Sequence, residues 1–245
     1  MAISRTLATA KRVLLQLRND IRTVILMIAV PSVLMTLLRY AFDHQIQVFQ
    51  SSGPMLLALF PFTVMFVIAS IAMLRERSSG TLERLLSTPI AKAEILIGYA
   101  IAFGTAAILQ VGIAIVVSTS ILGLKISGSL AMLVLIALLD ALLGMSLGLF
   151  LSAFANTEFQ AVQFLPAFVL PQLLLGGLLI PRDQMASVLR LLSDVLPLSY
   201  ALDAVARIAS AQPWDHNLTI DLVVISLAIP LSLLLGAATL RRRTD

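Results

Sequence analysis

Asp140 is the one acid deep inside an otherwise uninterrupted apolar stretch, residues 130–154. A charge at that depth costs roughly 2.5 to 3.5 kcal/mol on insertion scales, so its side chain must face protein or water. It can serve a substrate or a proton, or hydrogen-bond between packed helices, and the packing role is favoured. Close by, Gly144-Met145-Ser146-Leu147-Gly148 fits both the serine-hydrolase turn and a small-residue helix contact. A hydrolase serine needs an adjacent base. The only histidines, His44 and His216, fall in loops away from the middle of any apolar run, so packing is the expected role. The Asp43-His44 and Asp215-His216 pairs are too sparse to define a metal site. No cysteine is present, which removes thiolate ligands, thiol nucleophiles and disulfides together. A Walker A phosphate loop requires Gly immediately before its Lys, yet the three lysines follow Ala10, Ala91 and Leu124. The chain therefore offers no ATPase of that kind, and no catalytic residue, metal or cofactor is assigned to it.

The most informative polar segment runs from Leu74 to Pro89: Leu-Arg-Glu-Arg-Ser-Ser-Gly-Thr-Leu-Glu-Arg-Leu-Leu-Ser-Thr-Pro. Ser79 or Thr81 can accept from the free N–H groups of a first helical turn, and Glu83 suits the positive end of that helix. Leu82, Leu85 and Leu86 form one apolar face. Thr88 is placed to cap a following helix, with Pro89 at its first position. A short helix with an exposed leucine face and flanking charges suits docking into a partner's groove, or lying flat on lipid.

These residues need a frame, and composition supplies it. Of 245 residues 59% are hydrophobic and only 12% charged, far from the roughly 45–50% and 25% of soluble domains. The net charge of +4 comes from short basic clusters beside apolar runs, which argues against nucleic acid as a partner and for a lipid bilayer. Six stretches reach the roughly 20 residues needed to cross hydrocarbon: 21–41, 56–74, 95–121, 130–154, 159–180 and 222–240. Five basic residues precede the first span up to Arg22, four lie between Arg75 and Glu94, and three form the tail Arg241–Arg243. Twelve of 17 thus fall on one side, which the positive-inside rule makes cytoplasmic, with both termini. The N-terminus lacks the compact apolar core of a secretory signal and is expected to be retained.

Two segments outside the spans also carry helical periodicity. Ile3, Leu7, Ala10, Leu14, Leu17 and Ile21 recur at alternating four and three spacing, which predicts an interfacial amphipathic helix over 1–20. The 41-residue segment 181–221 shows apolar residues at helical spacing from Met185 to Leu196 and from Tyr200 to Ile208, which predicts two short helices broken at Pro197. The expectation is one all-α integral membrane domain over 1–245. It has six transmembrane helices, an N-terminal interfacial helix, a cytoplasmic loop at 75–94 and short extracellular helices between spans five and six.

The pattern Glu76, Gly80, Thr81, Leu82, Glu83, Leu85, Thr88, Pro89 closely resembles the cytoplasmic signature of the type-2 ATP-binding-cassette (ABC) exporter permeases, which include daunorubicin-resistance and nodulation-factor exporters. A second block agrees: Leu147 to Phe154, Gln160-Ala161, Leu174 to Pro181, then Leu196-Pro197-Leu198-Ser199-Tyr200 before Arg207. One departure is Arg182-Asp183-Gln184-Met185 after the outer Pro181, where the family often carries Pro and Trp.

The resemblance implies a coupling helix over Gly80 to Leu86, including Thr81, Leu82, Glu83 and Leu85, flanked by Arg75, Glu76, Thr88 and Pro89. It also implies a partner ATPase in two copies holding ATP and Mg, and a second permease, identical or paralogous. ATP-driven closure would pull two coupling helices together and tilt the bundles between inward-open and outward-open states. The family places the subunit interface on spans two and five, which here carry Phe60, Phe62, Met65, Phe66 and Gln163, Phe164, Phe168, Gln172. These residues, with Asp140, are the candidate substrate path, and an aromatic and methionine lining suits a drug-like or lipid-like amphipathic cargo. An ATP-independent secondary transporter would want internal repeats and paired intramembrane ionisable groups; a membrane anchor or assembly factor would not need the coupling signature.

Overall fold

The computed structural model describes residues 2–239 apart from 179 and 181, and gives no side-chain account of residues 2 and 183. Leu179, Pro181, residue 240 at the end of the sixth apolar stretch, and the basic tail Arg241–Arg243 lie outside the described residues. The described chain is all-α and carries six helices long and apolar enough to cross a membrane. This is a multi-pass membrane protein.

The first helix, α1 (Ala2–Asn19), leads through Asp20 into α2 (Ile21–Ala41). The Asp20 carboxylate accepts from the Thr23 amide at 3.2 Å and the Thr23 hydroxyl at 2.7 Å, which holds the sharp junction between the two. Helix α3 (Ile46–Ser78) has 33 residues, about 50 Å at 1.5 Å per residue. It runs ten residues earlier and four residues later than the sequence places the second span, so Arg75 and Glu76 are helical rather than in a loop. After it come α4 (Thr81–Leu86), α5 (Lys92–Val116, extended by one π turn to Ile121) and α6 (Leu130–Leu151).

The fifth crossing is broken: α7 (Glu158–Phe164), a π turn over Leu165–Val169, then α8 (Leu170–Leu175). Pro166 and Pro171 each remove a backbone donor, and the wider turn between them accommodates the loss. Helices α9 (Ser187–Val195) and α10 (Pro197–Ala209) divide at Pro197, which starts the second of them, and α11 (His216–Thr239) closes the bundle. Salt bridges pin this end: Arg207 meets Asp203 at 3.7 Å, Asp215 at 3.0 Å and Asp221 at 3.6 Å, while Arg182 pairs with Asp194 and Asp203. The Asp215 carboxyl is held below its usual range, first by the Leu218 amide it accepts and then by Arg207.

Between lipid-facing helices there is no hydrophobic drive to associate, so close van der Waals packing must hold them. The most extensive contact, α3 on α6, achieves this with glycine. A Cβ on Gly144 would lie 2.3 Å from the Phe62 carbonyl oxygen, and one on Gly148 would lie 2.3 Å from that of Phe66. Ser146 between them is fully buried and donates to the Leu143 carbonyl at 2.9 Å, so this Gly-x-Ser-x-Gly run is a helix contact and not a nucleophile turn. That approach turns Phe62, Met65 and Phe66 into the core, with Tyr99 and Phe103 of α5 among its largest buried side chains.

Candidate coupling site

Gly80 makes the turn from α3 into α4 in the left-handed conformation, φ 72°, which a Cβ would strain. Its six residues form less than two turns, too short to persist unsupported. Support comes from Leu82 and Leu86, each 4% exposed and built into the main hydrophobic core, with Leu85 packed beside them. The exposed leucine face expected from the sequence is therefore corrected: a helix this short buries its apolar side against its own bundle. What remains outward is polar: Glu83, Arg84, Ser87, Thr88 and Pro89 are the exposed residues.

The expected caps differ too. Neither Ser79 nor Thr81 caps α4; their hydroxyls bond each other at 2.9 Å. Thr88 donates to the Leu85 carbonyl at 2.6 Å and so closes α4 instead of starting the next helix. Helix α5 begins only at Lys92, where the Glu94 carboxylate accepts from the Ala91 amide at 2.9 Å.

Around α4 the polar residues join five helices, α1, α3, α5, α6 and α7. Glu76, 7% exposed, accepts at Oε1 from Arg12 at 2.8 Å and from Gln16 at 3.3 Å, and Arg12 also donates to the Tyr99 hydroxyl at 3.2 Å. Burial opposes the Arg12 charge, but Tyr99 and Glu76 outweigh it and hold the guanidinium above its ordinary pKa. Arg75 grips Glu158 at the start of α7 through two bonds, 2.7 and 3.1 Å, with Asp20 at 3.9 Å. Arg77 donates to the Ser152 carbonyl at 2.7 Å, which ties α3 to the end of α6. Hydrogen bonds from the Thr23 hydroxyl and amide, then Arg75, keep the Asp20 carboxyl below its usual range.

Helix α1 lies across this junction. Thr9, Ala10 and Val13 are its buried face, and Thr9 sits where a Cβ on Gly98 would come within 2.7 Å of it. Of the expected apolar stripe, Ile3, Leu7 and Ile21 stay exposed at 76, 54 and 65%. The contributions of Arg12, Gln16, Asp20, Tyr99 and Glu158 were not visible in the sequence. Only the four-residue spacing of Arg12 and Gln16 on one face of α1 hinted at a shared target.

The candidate substrate path divides. Phe62, Met65, Phe66 and Asp140 are 0–1% exposed, so within this chain they lie in the core. Gln172, 4% exposed, is buried as well, while Phe60 and Phe164 are half-buried and Gln163 and Phe168 are exposed. The other face of α3 lines a cavity of about 690 Å3 between α1, α2, α3 and α5. Thr63, Val64, Val67, Ile68 and Ile71 form its wall, and Asp20, Arg75, Glu76 and Gln16 its polar end.

Comparison with known proteins meets this geometry. The family model described as ABC-2 type transporter matches residues 5–209. The probable multidrug ABC transporter permease YbhS of Escherichia coli (strain K12) is 31% identical over 159 residues, which cover 64% of this chain and 41% of that protein. The linearmycin resistance permease protein LnrN of Bacillus subtilis (strain 168) is 26% identical over 152 residues, 60% of this chain and 39% of its own. ABC transporter G family member 20 of Dictyostelium discoideum is 25% identical over 156 residues, 64% of this chain and 21% of its own. The match thus spans less than half the length of these relatives. With six membrane-length helices, the Gly80 turn into α4 and a matched region running from α1 through α10, the chain belongs to the ABC-2 type transporter family.

Proposed function

We propose that this chain is the transmembrane permease of an ABC exporter, driven by a separate ATPase subunit present in two copies and working beside a second permease. ATP and Mg are held by the ATPase. The observation that carries this reading is α4: its leucines anchor it to the bundle while Glu83, Arg84, Ser87, Thr88 and Pro89 stand outward together. A partner seated on that polar face pushes on an element that directly follows α3, whose Glu76 and Arg75 bond to α1 and α7, with Arg12 of α1 reaching on to Tyr99 of α5. The basic clusters support a cytoplasmic position for this end by the positive-inside rule, and the bacterial permease relatives support the inner membrane of a bacterial-type cell. The cargo is a drug-like or lipid-like amphipathic compound, a reading supported by the relatives named as multidrug and linearmycin resistance permeases. Gln163, Phe164 and Phe168 on the broken fifth crossing, with Phe60, are the residues of the earlier candidate path that remain available to it.

The test is purification from native membranes in mild detergent, with identification of the soluble subunit that accompanies the chain and an ATP hydrolysis assay. A stoichiometric ATPase is expected, and the pair Glu83→Lys with Arg84→Glu is expected to release it while the permease stays monodisperse. A permease that purifies alone and shows no nucleotide-dependent activity sinks the reading. Leu82→Asp is unsuitable as a test because it would place a charge in the core.

A further inference from the structure

The cavity behind α4 is amphipathic along its length. From the Asp20 cap along α2 its lining runs Asp20, Thr23, Leu26, Val30, one helix face about 15 Å long at 1.5 Å per residue. On α3 it runs from Thr63 to Glu76, with Ser79 just past the helix end, again changing from mostly apolar to polar toward α4. Phe103 of α5 and Leu165, at the π turn of the fifth crossing, add apolar wall, and Tyr99 stands at the polar end. At about 690 Å3 it is of the size that encloses a drug-like molecule.

The charge at the polar end selects the ligand. Two carboxylates, Asp20 and Glu76, and one guanidinium, Arg75, line the cavity. The guanidinium is committed, with two bonds to Glu158 and Asp20 at 3.9 Å. Arg12, which reaches Glu76 from α1, is committed to Glu76 and Tyr99. Among the groups that line the cavity the spare capacity is an acceptor's: Glu76 is more than nine-tenths buried and among the described residues its Oε2 receives no hydrogen bond, while the unpaired Arg12 Nε lies outside the lining. A buried carboxylate oxygen with no donor is costly to leave so, and a ligand N–H would satisfy it. An anion would meet two carboxylates first.

We propose that this cavity binds an amphipathic monocation bearing N–H donors. Its apolar body lies in the trough of Leu26, Val30, Val64, Val67 and Ile68, and its cationic nitrogen sits between Asp20 and Glu76. This rests on the exporter reading and names the cargo class of that function and where the permease holds it.

The probe is rhodamine 6G, a lipophilic monocation with N–H groups, titrated by fluorescence anisotropy against the full chain in nanodiscs without ATPase. The anionic dye fluorescein is the counter-probe. Saturable rhodamine 6G binding is expected, with none for fluorescein at the same concentrations. Asp20→Asn, which keeps the acceptor for Thr23, and Glu76→Gln should each weaken binding roughly tenfold, the worth of one charge-assisted hydrogen bond. Val67→Trp fills the trough without touching the charges and should abolish binding. Each variant is checked for monodispersity and thermal unfolding, so that Val67→Trp and Asp20→Asn still decide the matter if Glu76→Gln fails to fold. Rhodamine 6G binding that survives Val67→Trp, equal binding of fluorescein, or no saturable binding by the parent chain overturns the proposal. These outcomes are separate from ATPase co-purification: a permease that holds its ATPase yet ignores the cation defeats the site alone, and one that binds the cation without an ATPase defeats the exporter reading alone.

Discussion

Removing Arg12 does more than delete one ion pair. Its carboxylate partner, Glu76, has a side chain only 9% exposed, so Arg12→Leu leaves a buried charge with the Gln16 amide as its remaining hydrogen-bond donor among the described residues. Such orphaned charges cost about 3–5 kcal/mol in fully buried pairs. Arg12 keeps 28% of its side chain exposed, so about 2–3 kcal/mol is expected here. The double change Arg12→Leu with Glu76→Leu should lose clearly less than the two single changes added together, because the charge and its partner leave at once. Denaturant unfolding of the four proteins in detergent measures this; strictly additive losses would show that the two residues do not act as a pair.

Helix α4 exists because one glycine turns the chain and two leucines hold it, so its weak point is Gly80. Gly80→Val puts a β-branched residue at φ 72° with nothing nearby to clash, so the loss is backbone strain alone, about 1–2 kcal/mol. The expected readout is local: faster amide exchange over residues 81–86 with the rest of the bundle unchanged, and uniform destabilisation would contradict it. This element also shows where the sequence was legible and where not. Length and hydropathy located the six crossings, and periodicity marked α1, α9 and α10, because those signals depend only on the chain's own order. Which side of α3 faces inward did not follow, since that helix is apolar all round and its rotation is set by Gly144 and Gly148, some eighty residues away. The leucines of α4 were assigned outward for the same reason: a pattern identifies an apolar face but not its partner. The Arg12, Glu76, Tyr99 group joins residues 64 to 87 positions apart, and no local pattern encodes that.

For the molecule as a whole, the basic end is a single bonded unit in which α1, α3, α5, α6 and α7 meet, while the opposite end is held by Arg182 and Arg207 among their acids. Helix α3 joins the two ends without a break. At about 50 Å it exceeds the roughly 30 Å hydrocarbon layer by some 20 Å, an excess taken up by tilt or by projection into water. The Asp20 junction and Arg75 mark the height at which lipid headgroups would sit, and α4 follows only one helical turn beyond Arg75. The bundle therefore acts as a gauge block that fixes the clearance between the bilayer and any protein seated on α4. Lipids with longer acyl chains should draw the Arg75–Ser78 turn toward the headgroups and close that gap. With the ATPase proposed above seated on α4, nucleotide hydrolysis should then fall in thicker bilayers and recover in thinner ones, while the unfolding temperature of the chain changes little. Hydrolysis indifferent to acyl-chain length would mean that the partner reaches α4 from the side rather than across the lipid surface, and that membrane thickness sets no clearance for this machine.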